Sequence, residues 1–236
     1  MIQPPTQPSD DNDRSITGQI ARALAQRIVT GTLPPGAPIR QDRIAAEFGA
    51  SHVPVREAFR KLEAQGLVVS EPRRGVRVAP LDPAAVIEVT EMRAALETLA
   101  LRHAIPKLVE SDIAAAAAAQ AAGAKSRDIA VWEAANRRFH RALTAPCALP
   151  RLMATIDDLH QVGARFLFAT WQELEWQPRS DDEHRAIMTA IRKRNARGAI
   201  AALNAHILAA GRALAALLET AQRAPGKPGK RRSRSA

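Results

Sequence analysis

The sequence lacks the features that would support a disulfide, a cysteine-based metal site or export. Its single cysteine, Cys147, excludes an internal disulfide and a cysteine-rich zinc site. No histidine or other base neighbours Cys147, so we interpret it as a small buried hydrophobic residue and not as a nucleophile. No apolar run approaches the ~20 residues that a membrane span needs, and the N-terminus has no basic start followed by an apolar stretch. We therefore expect a cytoplasmic protein with no membrane association.

Charge is distributed unevenly along the 236 residues, whose formal net charge is +10. Residues 15–80 hold ten Lys and Arg against five Asp and Glu, and the last twelve residues hold five Lys and Arg with no acidic residue. Residues 81–224 are nearly balanced, with eighteen basic against sixteen acidic residues. Because neutralisation of phosphates drives non-specific affinity for nucleic acid, the basic N-terminal part predicts a nucleic-acid-binding module.

The composition is that of a soluble globular protein, with 46% hydrophobic and 25% charged residues, and the length allows one or two domains. Low-complexity sequence predicts a disordered N-terminus over residues 1–14 and a disordered basic tail over residues 223–236. A dedicated DNA-contacting arm is the less favoured interpretation of the tail. Between these ends we predict two domains, residues 15–80 and residues 81–222.

Residues 15–80 show the element order of a winged helix-turn-helix. Ser15 is a candidate N-cap for a first helix whose apolar residues recur at helical spacing. The turn-rich stretch "TLPPGAPI" separates it from two shorter helices, "RQDRIAAEFG" and "SHVPVREAFRKLEAQG". After Gly66 the period changes, and "LVVS" and "GVRVAP" predict two short strands around "EPRR". Three helices followed by a hairpin over this length are typical of that motif.

The second of the shorter helices has the pattern of a DNA-recognition helix. Gly49 permits the tight corner before it, and Ser51 is its predicted N-cap. Its apolar residues face inward, which leaves on the other side Ser51, His52, Arg56 and Arg60. Side chains at the N-terminal end of such a helix reach base edges, and Arg can pair with guanine. The hairpin tip supplies the candidate wing residues Arg73, Arg74 and Gly75. A merely solvated basic face is the disfavoured alternative.

From Leu81 onward the strand signals vanish, and an alanine-rich helical pattern predicts an all-α bundle of about six helices. The expected helices lie near residues 83–105, 110–123, 128–145, 148–172, 181–196 and 196–219. The last carries a narrow apolar seam of alternating three- and four-residue spacing, formed by Ile200, Leu203, Ile207, Ala210, Leu214 and Leu217. Such a seam is equally compatible with an intramolecular core and with a dimer face.

Residues 135–140 read "ANRRFH" and place Asn136 and His140 four residues apart, on one face of a predicted helix. The apolar stripe of this helix runs through Trp132 and Phe139, so Asn136 occupies a position where the pattern favours an apolar residue. A buried amide without partners costs about 1–3 kcal/mol, so something is expected to satisfy it. Residue types alone leave two interpretations, namely a pair of metal-capable groups or a polar residue beside a core histidine.

Two further histidines face the predicted bundle interior. His184 precedes Ile187 on an apolar face, and His206 lies at the edge of the last seam. Taken singly, each is better explained as a hydrogen-bonded core residue, and neither His103 nor His160 has special companions. Taken together with the polar pair of "ANRRFH", they indicate a site for a divalent metal, zinc or otherwise nickel, manganese or iron, with open positions for a ligand.

Arg93 is the remaining polar residue on a predicted apolar face, because it flanks Val89 and Leu96. A half-buried guanidinium needs an anion, and a bidentate carboxylate fits it well. The carboxylate could belong to a bound ligand or to a glutamate of the bundle, and the sequence supports the two interpretations equally.

The stretch "RQDRIAAEFGASHVPVREAFRKLEAQGLV" followed by "PRRGVRV" resembles the GntR family of bacterial transcription regulators. The helical remainder resembles the FCD domain of its FadR-type subgroup, and the resemblance covers about residues 15–220. It implies a homodimer that binds a palindromic double-stranded DNA operator, with affinity altered by a small organic acid effector. By position it assigns DNA contacts to Arg40, Asp42, Ser51, His52, Val53, Arg56, Arg73, Arg74 and Gly75. Members commonly have Arg where this chain has His52, a shorter and titratable donor.

The same resemblance bears on the bundle interior. Many FCD members bind a divalent metal through an Asp at the position of Asn136 and through histidines that match His140, His184 and His206. The effector carboxylate often completes that metal shell, and the resemblance also implies effector binding at Arg93. The amide of Asn136 lowers the negative charge of the site, which we expect to weaken metal binding without abolishing it.

These observations predict a ligand-responsive, DNA-binding transcription regulator, most simply a repressor, and not an enzyme. The alternatives are a metal-dependent hydrolase and a constitutive DNA-binding protein without an effector. The sequence ties no acid or base to the metal set, and a hydrolase would have no need of a winged helix. A purely structural bundle would fill the polar interior positions with Leu.

Overall fold

The computed structural model describes residues 15–171 and 177–223, and the predicted disordered ends lie outside them apart from residue 223. The N-terminal part consists of α1 (Ile16–Val29), β1 (Pro38–Ile39), α2 (Gln41–Phe48), α3 (His52–Ala64), β2 (Val68–Glu71) and β3 (Gly75–Val78). The C-terminal part consists of α4 (Pro83–Ala104), α5 (Glu110–Ala124), α6 (Ile129–Thr144), α7 (Pro150–Thr170), α8 (Gln177–Arg192) and α9 (Ala196–Arg223). The predicted fold class, a winged helix-turn-helix followed by a helical bundle, is confirmed.

Local signals explain how the helix-turn-helix begins and turns. The Ser15 hydroxyl accepts a hydrogen bond from the Gly18 amide at 3.0 Å and caps α1, as predicted. Gly49 ends α2 in the left-handed region with φ of 58°, which confirms its role in the corner. Ser51 holds the N-cap position of α3, but its side chain makes no capping hydrogen bond. Its hydroxyl therefore lies on the exposed face without a role in helix capping.

The wing is a three-stranded antiparallel sheet in the order β1-β3-β2, one strand more than the predicted hairpin. In the additional strand, Pro38 and Ile39 pair with Arg77 and Val76. Two residues are too few to show an alternating pattern, and a proline tolerates only an edge position. The β2–β3 turn places Arg73 at φ of 64°, a left-handed backbone that is uncommon for a residue with a side chain.

The N-terminal part and the bundle share one hydrophobic core. Leu24 and Leu62 of the helix-turn-helix belong to the same buried cluster as Val162 and Phe166 of α7 and Leu218 of α9. Two hydrogen bonds cross the same boundary, and they join Arg165 to the Ala79 carbonyl and Gln65 to Asp158. The DNA-facing part is therefore packed directly on the helical domain.

The bundle helices agree with the predicted positions to within a few residues. The largest difference is α8, which begins at Gln177 and ends at Arg192, whereas the helix was expected near residues 181–196. Arg194 takes a left-handed conformation with φ of 53°, and this breaks the helix. The Asn195 side chain then accepts a hydrogen bond from the Gly198 amide at 2.9 Å and starts α9.

The apolar seam of α9 lies mainly inside the molecule. Leu203 and Ile207 are buried in the bundle core, and Ile200 and Leu214 pack against buried clusters. This favours the intramolecular interpretation for most of the seam. By length and composition α9 could also cross a membrane. This is weak evidence of a membrane span, because a core helix of a soluble protein passes the same test.

The closest approach between α4 and α9 occurs at Thr90 and Gly211. A Cβ atom placed on Gly211 would lie 2.1 Å from the Thr90 Oγ1 and 2.5 Å from its Cβ, distances that real structures do not tolerate. Gly211 is therefore required for the two backbones to approach this closely. Both residues line the cavity of the bundle that is described below.

We expect Gly211→Ala to lower the free energy of unfolding by about 1–3 kcal/mol, because the added methyl group overpacks the α4–α9 contact. Adding Thr90→Gly removes the three atoms nearest to the new methyl group, so the double variant should regain a measurable part of the loss. Urea unfolding of the wild type, both single variants and the double variant measures this coupling.

Gly163→Ala in α7 is the matched control. A Cβ there would meet only the Arg93 Nη1 at 3.6 Å, which is ordinary contact. Because alanine favours a helix interior over glycine, stability should stay the same or rise by up to about 1 kcal/mol. Equal losses at Gly163 and Gly211 would contradict the close-packing argument.

Candidate functional site

The exposed face of α3 carries the side chains predicted to contact DNA. Ser51, His52, Val53 and Arg56 are all exposed, and Val53 has 57% of its surface accessible. An apolar side chain at that exposure is suited to contact with a thymine methyl group. The opposite face of α3, including Phe59, is buried in the core.

Two further predicted DNA contacts lie at the start of α2. Arg40 occupies the N-cap position and Asp42 the first turn, and both are exposed. The His52 Nε2 lies 3.7 Å from the Asp42 Oδ1, so these two predicted residues are neighbours across the helix-turn-helix corner. The Gln41 side chain donates to the His52 carbonyl at 3.3 Å and holds the N-terminus of α3 beside α2.

The wing presents Arg73, Arg74 and Gly75, all of them exposed, at the β2–β3 turn. The Arg74 Nη1 lies 3.8 Å from the Glu71 Oε2, and the Arg77 Nε lies 3.4 Å from the same oxygen. The Glu71 carboxylate therefore holds the Arg74 and Arg77 side chains next to the turn. The structure thus places all nine predicted DNA-contacting residues on α2, α3, the segments that begin them and the wing turn.

Inside the bundle, three buried histidines converge from three helices. His140 of α6, His184 of α8 and His206 of α9 are 1%, 3% and 5% exposed. Each can present one ring nitrogen so that the three atoms lie within 4.8 Å of one another. The His184 and His206 Nε2 atoms are 3.2 Å apart. Two nitrogens bound to one tetrahedral zinc at about 2.0–2.1 Å lie roughly 3.3 Å apart, so this spacing fits a shared metal ion.

Two carboxylates orient two of these rings. The His140 Nδ1 lies 2.7 Å from the Glu97 Oε2, and the His206 Nδ1 lies 2.7 Å from the Glu183 Oε2. A carboxylate can only accept, so each Nδ1 carries the proton and each Nε2 keeps its lone pair. Carboxylate-oriented histidines of this kind are common around protein-bound metals.

Two polar atoms at the same place lack a partner among the described residues. The Asn136 Oδ1 and the His140 Nε2 are buried and make no hydrogen bond. Asn136 lines one cavity together with His140 and His206, and a second, smaller cavity together with His184. The four residues of the predicted metal set are therefore neighbours, and two of them have an unused electron pair that a cation would satisfy.

Burial keeps the clustered histidines neutral. It lowers the pKa of His140, His184 and His206 below the ordinary histidine value, and the neighbouring rings lower the pKa of His184 further. The Glu97 carboxylate raises the pKa of His140 without overcoming burial. Neutral imidazoles are the form that binds a metal ion.

Arg93 lies beside this cluster and already has a carboxylate partner. Its Nε and Nη2 atoms lie 2.9 Å from the Oε1 of Glu97, which is completely buried. Arg93 and His140 hold the pKa of Glu97 well below its usual range, against the opposing effect of burial. The Arg93–Glu97 pair agrees with the interpretation that the partner of Arg93 is a glutamate of the bundle. Arg93 also lines the cavity.

The prediction that His160 has no special companions was wrong. Its Nε2 lies 3.1 Å from the Glu97 Oε1 and 3.4 Å from the Arg93 Nη2, and the residue is 5% exposed. Glu97, His160 and Glu183 were all missed from the sequence. Glu97 had a detectable signal, because it lies three residues after Ala94 and four before Leu101, on a buried face of α4.

The cavity lies between α4, α6, α7 and α9. It leaves about 60 Å³ for the centres of water-sized groups. Its polar lining residues are Thr90, Arg93, Glu133, Asn136, His140, His160 and His206. An engineered cavity of about 150 Å³ holds one benzene molecule, so this smaller space favours a small ligand.

Comparison with known proteins gives two family matches in the order of the two parts of the chain. Residues 16–78 match the bacterial regulatory proteins of the gntR family, and residues 88–209 match the FCD domain. The second match spans more than half of the 236 residues. The candidate DNA-facing residues lie in the first region, and the candidate interior site lies in the second.

Curated relatives and solved structures agree with these matches. A "Probable D-xylose utilization operon transcriptional repressor" of Paenarthrobacter nicotinovorans is 36% identical over 131 residues, which cover 55% of this chain and 58% of the relative. An uncharacterized HTH-type transcriptional regulator of Agrobacterium vitis is 35% identical over 132 residues, covering 53% of this chain and 77% of the relative. The E. coli McbR/YncC structure shares the fold with a TM-score of 0.72 at 22% identity, covering 88% and 99% of the two chains.

We expect Glu97→Gln to destabilise the protein by about 3–5 kcal/mol, because it leaves the partly buried guanidinium of Arg93 and the buried rings of His140 and His160 without their shared carboxylate. The change keeps the size of the side chain, so loss of charge is the main effect. Thermal and urea unfolding measure the loss. Glu91→Gln on the exposed face of α4 is the control, and it should stay within about 0.5 kcal/mol of the wild type. Equal stability of the two variants would show that the buried ionic network contributes nothing.

Proposed function

The chain belongs to the gntR family of bacterial regulatory proteins and carries an FCD domain, and from this premise we propose an effector-controlled repressor. It is a DNA-binding transcription regulator. In the proposal, residues 15–80 bind one half of a palindromic operator, and residues 81–222 bind the effector and form a homodimer in the cytoplasm. The observation that carries the proposal is the joint presence of an exposed α3 face and a polar cavity inside the bundle.

The exposed residues of α3 read the bases in this proposal, and the wing positions the protein on the backbone. Ser51, His52, Val53 and Arg56 point away from the core at the end of α3 that enters the major groove in helix-turn-helix proteins. Arg73 and Arg74 suit phosphate or minor-groove contact. His52 offers an imidazole, so its base contact is shorter in reach than that of an arginine.

The interior set Asn136, His140, His184 and His206 holds a divalent metal in this proposal. The fit rests on the convergent ring nitrogens, the two unsatisfied atoms and the carboxylates behind the rings. Zinc is the preferred ion because its usual ligands include neutral imidazole, and nickel, manganese or iron are the alternatives. The metal would supply a positive charge for an anionic effector. Asn136 contributes its oxygen without a carboxylate's charge.

A small organic acid is the proposed effector, bound next to the metal set. Arg93 lines the cavity at the same end as the histidines, and it adds a second cation there. Because Glu97 already pairs with Arg93, the guanidinium contributes through its remaining donors. Effector binding controls operator affinity only if the forms of the protein that can and cannot bind the operator have different affinities for the effector.

Regulation explains these features better than the hydrolase alternative does. The relatives reported above are transcription regulators or repressors. The carboxylates nearest the histidines, Glu97 and Glu183, are engaged in orienting imidazoles. A constitutive DNA-binding protein is disfavoured because its bundle would have no use for a cavity lined by polar side chains from four helices.

We expect Arg56→Ala to weaken binding to the operator by about 1–3 kcal/mol and to relax the sequence preference, as for loss of a base contact. Fluorescence anisotropy measures this on DNA from around the protein's own gene and on a shuffled duplex at the same salt concentration. The wild type should prefer the first.

Arg151→Ala in α7 is the control for charge, because this exposed residue lies far from α3 in the chain and carries the same charge. It should leave the preference unchanged. An equal loss of affinity for both duplexes in Arg56→Ala would instead make Arg56 a phosphate contact. Absence of any sequence preference in the wild type would sink the regulator proposal for this surface.

We expect the metal-free protein to bind one zinc ion per chain, and His184→Ala to reduce that affinity at least about tenfold. Asn136→Asp should raise the affinity, because a carboxylate adds a negative charge to the same position. Competition with a chromophoric chelator measures the zinc affinity of the wild type and of the two variants.

His103→Ala serves as the control, since His103 is exposed on α4 and lies outside the cluster. Its zinc affinity should equal that of the wild type. If His103→Ala and His184→Ala lost affinity equally, or if Asn136→Asp changed nothing, the metal set would be assigned wrongly.

A further inference from the structure

The cavity of the bundle has two chemically different ends. Four helices line it, and along each of them the lining residues change from ionic or imidazole side chains to apolar ones within about two turns. Two turns of helix rise roughly 10–12 Å. The cavity therefore has one polar end and one apolar end.

On α4 and α6 the polar residues come last in the chain direction. Along α4, the cavity is lined first by Val86 and two turns later by Arg93. Along α6, it is lined first by Trp132 and two turns later by His140. The order along these two helices does not by itself show that Arg93 and His140 lie at the same end of the cavity.

On α7 and α9 the order is reversed. His160 precedes Leu167 along α7, and His206 precedes Leu214 along α9. The reversal is what antiparallel packing requires if all four polar residues are to meet at one end. Side-chain contacts show that they do.

At the polar end, the Arg93 Nη2 and the His160 Nε2 are 3.4 Å apart, and the ring centres of His140 and His206 are 5.3 Å apart. His140 and His160 lie at 5.4 Å, which joins the two pairs into one group. This end collects the positive and metal-capable groups. An anionic head group would bind here.

At the opposite end, the lining belongs to two hydrophobic clusters. One contains Val86, Phe166 and Leu214, and the other contains Trp132 and Leu167, again with Leu214 at its edge. Hydroxyl groups of a ligand would find apolar carbon here, and each unmade hydrogen bond would weaken binding. The apolar end thus disfavours a polyhydroxylated acid.

Glu133 lies on α6 between the two ends, one residue after Trp132 and three before Asn136, and it lines the cavity. Burial raises the pKa of this carboxyl, whereas Arg137 and Arg93 oppose the shift. A second carboxylate on a ligand would meet Glu133 and apolar surface without a counter-ion. The placement of Glu133 therefore disfavours a dicarboxylic acid.

Resting on the proposed effector role of this cavity, we propose that the effector is a short, unsubstituted monocarboxylic acid whose alkyl or small apolar end lies against Trp132, Leu167 and Leu214. The small cavity volume of about 60 Å³ favours a short acid over a long-chain one. The carboxylate binds at the Arg93 and histidine end.

Four acids of equal chain length test this assignment by calorimetric titration of the full-length protein saturated with zinc, and again without zinc. They are butyrate, threonate, succinate and 2-aminobutyrate. Butyrate should bind at least tenfold more tightly than each of the others. Tighter or equal binding of any of the other three would overturn the proposed ligand class and leave the effector role intact. Binding of none of the four would overturn both.

Leu214→Asn places an amide at the apolar end with little change in size. It should reduce the preference for butyrate over threonate at least about fivefold. Val89→Thr, an isosteric change on α4, should act in the same direction and provides a second measurement if Leu214→Asn folds poorly. Leu99→Asn, at an exposed position of α4 that does not line the cavity, should keep the preference of the wild type. An unchanged preference in both cavity variants would also overturn the assignment.

Discussion

The completely buried carboxylate of Glu97 is the interaction on which the interior of the bundle depends. It lies within 3.1 Å of groups from three helices, namely Arg93 on its own helix, His140 of α6 and His160 of α7. A buried charge is tolerated only where several partners compensate its desolvation, and these three do so. The same contacts fix the tautomer of His140 and aim its free nitrogen at His184 and His206. One carboxylate therefore orders both the candidate metal set and the cationic end of the cavity.

Periodicity and turn chemistry predicted the helices well, because an apolar stripe or a glycine at a corner acts locally. The three- and four-residue spacing of apolar residues is enough to place His184 and His206 toward the interior. What the sequence could not reveal depends on which helices become neighbours. Glu183 orients His206 from 23 residues away, and His160 reaches Glu97 from another helix. The short strand β1 escaped detection for a different reason, since its two residues show no pattern of their own and pair with the distant residues Arg77 and Val76.

Asn136 brings no charge to the candidate metal set, at a position where the family resemblance implies an Asp. An amide oxygen in place of a carboxylate removes one negative charge from the immediate ligands. Glu97 and Glu183 nevertheless accept from the rings of His140 and His206, which makes the ring nitrogens that face inward more basic. Glu97 and Glu183, which lie behind the rings, thereby compensate part of the missing negative charge. The orphaned Oδ1 of Asn136 also keeps its lone pairs available at the same position.

Helix α7 connects the cavity to the DNA-facing part through buried contacts. His160 lies at the polar end of the cavity, and five residues later Arg165, 3% exposed, donates to the carbonyl of Ala79, directly after β3. Burial lowers the pKa of Arg165 to about 10, a sign of how far the guanidinium is removed from water. Phe166 beside it lines the cavity and also belongs to the core shared with the helix-turn-helix. A ligand that displaces α7 must therefore disturb the packing beneath the wing, because close-packed cores change between discrete arrangements and do not deform freely.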